Sequence, residues 1–112
     1  MPTVQIAIAD YLYAEQIKDL LVRDGNHRVY LVDTPNPKID GVIVVDDRRL
    51  KEVPFGSVRY VIVANKASRR ISSLFHAGVH HLIFATDSPN TACLAILAAE
   101  LRLGHANRLQ ST

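Results

Sequence analysis

Tryptophan is absent from this chain, and cysteine and methionine occur once each. A lone cysteine cannot close an intramolecular disulfide, so no disulfide framework holds the fold. Cys93 lies in the apolar stretch ACLAILAA, where a thiol behaves as a small hydrophobe. No apolar run approaches the roughly 18 residues needed to span a bilayer. The opening MPTVQIAIAD lacks the charged n-region and cleavage site of a secretory signal, so the expectation is a cytoplasmic protein with no membrane partner. The G-x-G-x-x-G, Walker and G-x-S-x-G patterns are missing too. Dinucleotide binding, nucleotide hydrolysis and hydrolase chemistry therefore have no motif behind them, and the sequence predicts neither a cofactor nor an enzyme.

What is present is ordinary for a globular domain. The chain has 112 residues, 48% hydrophobic and 21% charged, which suits one core and excludes a disordered or collagen-like class. Its formal charge of +2 comes with acids spread along the chain, so direct nucleic-acid binding is not expected. Short β-rich runs (VQIAIA, RVYLVD, GVIVVD, RYVIVAN, HLIFAT) alternate with helical patterns at about 13–24, about 68–77 and from Pro89 onward. That alternation predicts an α/β fold with a parallel sheet. The unbroken apolar runs Val42 to Val45 and Val61 to Ala64 suit central strands covered on both faces.

The first helical pattern puts Ala14, Ile17, Leu20 and Leu21 on one stripe, and the second turns Ile71, Leu74 and Phe75 inward, with Gly78 as its stop. Ser88 and Pro89 supply an N-cap and a first helical residue for the last helix. From Ala92 to Ala99 that helix has no charge on any face, more apolar surface than a helix covering one side of a sheet requires. Beyond Leu103 the chain turns polar. The expected division is a domain over residues 1–104 and a polar tail over residues 105–112.

The segment FHAGVHHLIF, residues 75 to 84, and DGVIVVD, residues 40 to 46, together with this order of elements, resemble the receiver domains of bacterial response regulators. The resemblance spans about residues 3 to 103. It implies a flavodoxin-like three-layer sandwich with a five-stranded parallel sheet in the order 2-1-3-4-5. It also implies a phosphoryl site at the carboxyl ends of the strands, built from an acidic pair, an acceptor aspartate, a hydroxyl residue and a lysine. Asp10 stands as a remnant of the acidic pair, with Tyr11 where the second acid would be. Asp46 falls at the acceptor position, followed by Asp47, Arg48 and Arg49. Ala64 and Asn65 replace the hydroxyl residue, and Ala85 falls where the lysine is expected. Phosphoryl transfer needs positioned positive charge, which this set does not supply.

The connections are trimmed as well. Only TPNPKID separates the second and third strands, and Pro54 and Gly56 interrupt the next connection, so the second and third helices are expected to be absent or reduced. Their loss is expected to bare apolar surface on one face of the sheet, which is typically a binding site.

The leading expectation is a receiver-like module that is not phosphorylated. It would act by protein–protein contact in bacterial signal transduction or transcriptional regulation, as a homodimer or with a heterologous regulatory protein. Cys93, Leu94, Ile96 and Leu97 are the candidate dimer surface. Two alternatives stand beside it. Arg48, Arg49, Lys66 and Arg70 could hold a small anionic ligand at the carboxyl edge, or Asp46 or Asp47 could serve as an unorthodox phosphoacceptor. His76, His80 and His81 lie close together, but no acid or cysteine stands at ligand spacing, so no metal site is expected.

Overall fold

The computed structural model describes residues 2–23, 25–65, 71–76 and 78–110, with residues 71, 75 and 105–110 described for the backbone alone. The elements run β1 (Thr3–Ala7), α1 (Tyr11–Val22), β2 (Arg28–Leu31), β3 (Val42–Asp46), a 3-10 helix η1 (Asp47–Glu52), β4 (Tyr60–Ala64), α2 (Ile71–His76), β5 (His81–Phe84) and α3 (Pro89–Gln110). All five strands are parallel and lie in the order β2-β1-β3-β4-β5. This is the flavodoxin-like arrangement expected from the sequence. Its topological switch point falls between β1 and β3, which both leave the sheet at the same edge.

The alternation of side chains along each strand sorts the core into two layers. Val4, Ile6, Val42, Val44, Val61, Val63 and Ile83 face α1 and α3, which contribute Ala14, Ile17 and Leu21 and Ala92, Ile96 and Ala99. Register holds this layer together, with Val4 opposite Val42 and Val29, and Val44 opposite Val61. Ala7, Ile43, Val45, Tyr60, Ile62 and Ala64 face the other way, beneath Leu74 of α2 and the half-buried Leu50 and Val53.

That second layer overturns one expectation. Among the described residues no α-helix lies between β2 and β4, only the short 3-10 helix η1, but the sheet beneath is not bare. Ile43, Val45, Ile62 and Ala64 are all buried. The loop after β2 does part of the covering and is pinned by two polar side chains. Gln5, buried on this face, donates from Nε2 to the Asn36 carbonyl at 2.9 Å and accepts the Asn36 N–H at 2.8 Å. Arg59 donates from Nε to the Gly41 carbonyl and from Nη1 to the Pro37 carbonyl, each at 2.9 Å, and from Nη2 to the Ile39 carbonyl. The loop can therefore lie flat with its backbone groups satisfied. Gly41 lets it pass beside β1. Its φ is +121°, and a Cβ there would stand 2.1 Å from the Thr3 carbonyl oxygen.

Helix ends follow their local chemistry. Asp10 caps α1 by accepting the Tyr13 N–H at 3.1 Å, which starts the helix two residues earlier than its apolar stripe suggests. At the far end of α2, Gly78 has φ +69° and the Val79 N–H reaches back to the Leu74 carbonyl, a Schellman closure. Residues 66–70, where the sequence reading began this helix, lie outside the described residues. Ser88 accepts the Thr91 N–H at 3.3 Å to open α3, which continues to Gln110 through the polar residues read as a tail. His27, buried at the start of β2, sets its Nε2 2.9 Å from the Glu100 carboxylate and so ties that edge to α3. Among the described residues no helix is long and apolar enough to cross a membrane.

Candidate functional site

Strands β1, β3 and β4 end at one edge, and the chain leaves them in opposite directions across the switch point. A parallel sheet leaves a crevice at such a place. Here it is an open cleft of about 450 Å³. Ile8, Val63 and Ala85 give it an apolar floor, and Asp10, Asp46, Asp47 and Arg48 bring its charges, with Tyr13 and Asn65 on the walls. A second cleft of about 430 Å³ adjoins it on the β2 side, shares Asp46 and Arg48, and reaches Tyr11, Asp33 and Arg49.

Asp10 and Asp46 thus line one cleft at the switch point, and the structure also shows what each is engaged in. Asp10 Oδ1 is the cap of α1. Asp46 Oδ2 accepts the Ala9 N–H at 3.1 Å, which fixes the carboxylate against the end of β1, and the Arg48 guanidinium lies 3.6 Å from the same oxygen. Among the described residues no group of three or more acids, histidines or cysteines is arranged to hold a metal ion.

The two basic candidates among the described residues, Arg48 and Arg49, do not converge. Arg48 lines the cleft but is drawn to Asp46. Arg49 turns to the other side, donating to the Asp33 carbonyl and to Glu52 one helical turn on. Lys66 and Arg70 lie outside the described residues. Three carboxylates against one guanidinium leave the described lining acidic.

Two features of the cleft have no counterpart in the sequence reading. Asp47 is only 8% exposed, and its Oδ2 has no hydrogen-bond partner among the described residues. Tyr13, 6% exposed, has a hydroxyl in the same condition. Burial pushes the Tyr13 pKa up, and Asp87, Cys93 and Asp10 add to the rise, so the hydroxyl keeps its proton. A sequence shows that an acid follows a strand, not whether the next turn buries it.

The surface candidates separate in the same way. Ile96 is fully buried in the core beneath α3 and offers nothing to a partner. Cys93 is half-buried with its Sγ 3.8 Å from the Ile17 carbonyl, and burial pushes its thiol pKa up, so it is the small hydrophobe expected. Leu94 is 67% exposed and Leu97 38%. Leu101, 74% exposed, joins them one turn further on. It escaped the sequence reading because Glu100 closed the uncharged window, although the spacing 94, 97, 101 places all three on one stripe. Helix α3 therefore has two apolar stripes, one on the sheet and one facing outward. The histidines stay apart in role: His76 Nδ1 meets the Ser72 carbonyl, while His80 Nδ1 accepts from Arg102 at 3.0 Å.

The chain matches no protein-family model and no curated protein sequence.

Proposed function

We propose that this chain is a receiver-like contact module of bacterial signal transduction or transcriptional regulation, working in the cytoplasm as a homodimer without a phosphoryl switch. The observation that carries this reading is the outward stripe of α3, where Leu94, Leu97 and Leu101 are exposed on a helix whose opposite stripe already serves the core. Solvated helix faces ordinarily carry charge, and a continuous apolar row is the mark of a surface that is covered. A twofold axis along α3 sets this row against itself, so that one surface supplies both halves of the interface. The flavodoxin-like sheet and the placement of Asp10 and Asp46 support the receiver-like part of the reading. Ala85 at the end of β5, and Arg48 drawn onto Asp46, support the absence of a phosphoryl switch.

The test is substitution on the outward stripe. Leu97→Glu and Leu101→Glu each place a carboxylate where the partner helix would desolvate it. Both should sediment as monomers with the circular dichroism of the wild type, because neither position belongs to the core. Variants that keep the wild-type sedimentation behaviour would remove α3 from the interface.

A further inference from the structure

We infer that the outward row of α3 pairs antiparallel with the same row of a second copy, which sets the two switch-point clefts at opposite ends of the dimer. This rests on the contact reading above and adds its geometry. The row is nearly the same in either direction along the chain. Its exposed members are Leu94, Leu97, Ala98 and Leu101, in the pattern Leu-x-x-Leu-Ala-x-x-Leu, while Ile96 and Ala99 between them are buried on the opposite stripe. At about 3.6 residues per turn, Leu94 and Leu101 fall on the midline of the row, with Leu97 on one flank and Ala98 on the other. A twofold axis placed across α3 between positions 97 and 98 then sets Leu94 on the partner's Leu101 twice over, Leu97 on the partner's Leu97 and Ala98 on the partner's Ala98. The alanine pair lets the helix axes approach, and the Leu97 pair fills the other side of the seam.

A parallel pairing would stack Leu94 on the partner's Leu94 and Leu101 on the partner's Leu101, but it would leave each Leu97 against an alanine. It would also lay two helix dipoles side by side with like ends together. The antiparallel pairing brings the partly positive amino end of each helix beside the partly negative carboxyl end of the other. The flanking charges do not choose between the two, since Glu100 is held by His27 and Arg102 by His80 within one chain. Asn90 and Thr91 at one end and Gly104 at the other are exposed and uncharged, so they lengthen the seam beyond the leucines toward a standard interface of about 800 Å² on each partner. Helix α3 begins just after β5, at the edge where the strands open into the cleft. Opposed helices therefore turn the two cleft edges away from each other, and no single ligand bridges both.

The experiment is a pulsed dipolar electron-spin measurement on the full chain carrying a nitroxide at Thr86→Cys in a Cys93→Ala background, with light scattering on the same sample. Thr86 is exposed, precedes α3 at the cleft edge and lies off the row. The antiparallel pairing places the two labels about 35 Å apart, the rise of roughly 23 residues at about 1.5 Å each. The parallel pairing places them within about 20 Å, an interaxial spacing of about 8–10 Å plus the reach of the labels. A dimer with the short distance would overturn the antiparallel pairing and leave the contact reading standing. A wild-type particle at the single-chain mass would remove the contact reading and the pairing with it. Leu97→Glu, labelled in the same way and with the circular dichroism of its parent, should lose the dipolar coupling, and coupling that survived it would place the interface off α3 and overturn the pairing.

Discussion

Gln5 is a carboxamide in the middle strand row of a sheet, a place where an apolar side chain is usual, and it earns that place by holding a loop. Its two bonds to Asn36 do for the second face of the sheet what a helix would otherwise do. Replacing it with leucine keeps the bulk but removes both bonds to Asn36, each worth about 0.5–1.5 kcal/mol net. Gln5→Leu should therefore lower the stability from urea denaturation by at least that amount, and an unchanged midpoint would mean the loop is not held here. His81 makes a different demand. Its ring is buried with Nε2 unpartnered among the described residues, and burial, Arg102 and His80 in that order push its pKa below the ordinary value. The unfolded chain then binds a proton near pH 6.5 that the folded chain refuses. Stability conferred by the neutral ring is complete above that pH and is lost as pH falls toward the depressed folded value. Melting temperatures of the wild type should fall between pH 7 and 5, and His81→Leu should flatten that slope; identical slopes would refute the assignment. Neither residue was legible in the sequence. A glutamine inside VQIAIA and a histidine opening HLIFAT look like strand residues of any kind, and only the register reveals which face each occupies.

At the scale of elements the sequence was more informative, because strands and caps leave local signatures. The apolar runs marked β3 and β4, Ser88 and Pro89 marked the start of α3, and the two prolines after Asp33 excluded a helix before β3. What the local pattern could not show was the substitute for the lost helices, since Arg59 reaches back some twenty residues to bond Pro37, Ile39 and Gly41. Long-range pins of this kind have no periodicity to read. Asp10 shows how one residue can answer two readings. It sits where a receiver would place an acid, yet its Oδ1 is the N-cap of α1. Asp10→Ala should thus cost about 1 kcal/mol of stability, measured by chemical denaturation, whether or not the cleft has a ligand. A neutral substitution would show that the cap contributes nothing. For α3 the uncharged stretch announced an apolar outer side as well as an inner one, but the inward stripe took Ile96 and the outward one gained Leu101.

At the scale of the whole molecule, the parallel sheet was predictable from the alternation of elements and its strand order from the resemblance, while the charge of the described cleft lining was not. Four basic residues near two strand ends suggested an anion site; the fold turns Arg49 away and leaves acids in the wall. The same geometry bears on phosphorylation. On the proposed reading Ala85 stands where a receiver has a lysine and Tyr11 where it has a second acid, which leaves Arg48 as the cation beside Asp46 among the described residues, and removal of one stabilising group costs about a hundredfold or more in rate. Incubation with acetyl phosphate and magnesium should leave the intact mass unchanged, and stoichiometric labelling abolished by Asp46→Asn would contradict this. The central claim, however, is contact through α3. An interface of standard size hides about 800 Å² on each partner, which requires more than three leucines, so the remainder of the outward face of α3 must join them. Light scattering coupled to size exclusion, run from low to high micromolar wild-type protein, measures this directly. The account predicts twice the 12.4 kDa chain mass at the upper concentrations, and a particle that stays at the single-chain mass throughout would contradict it.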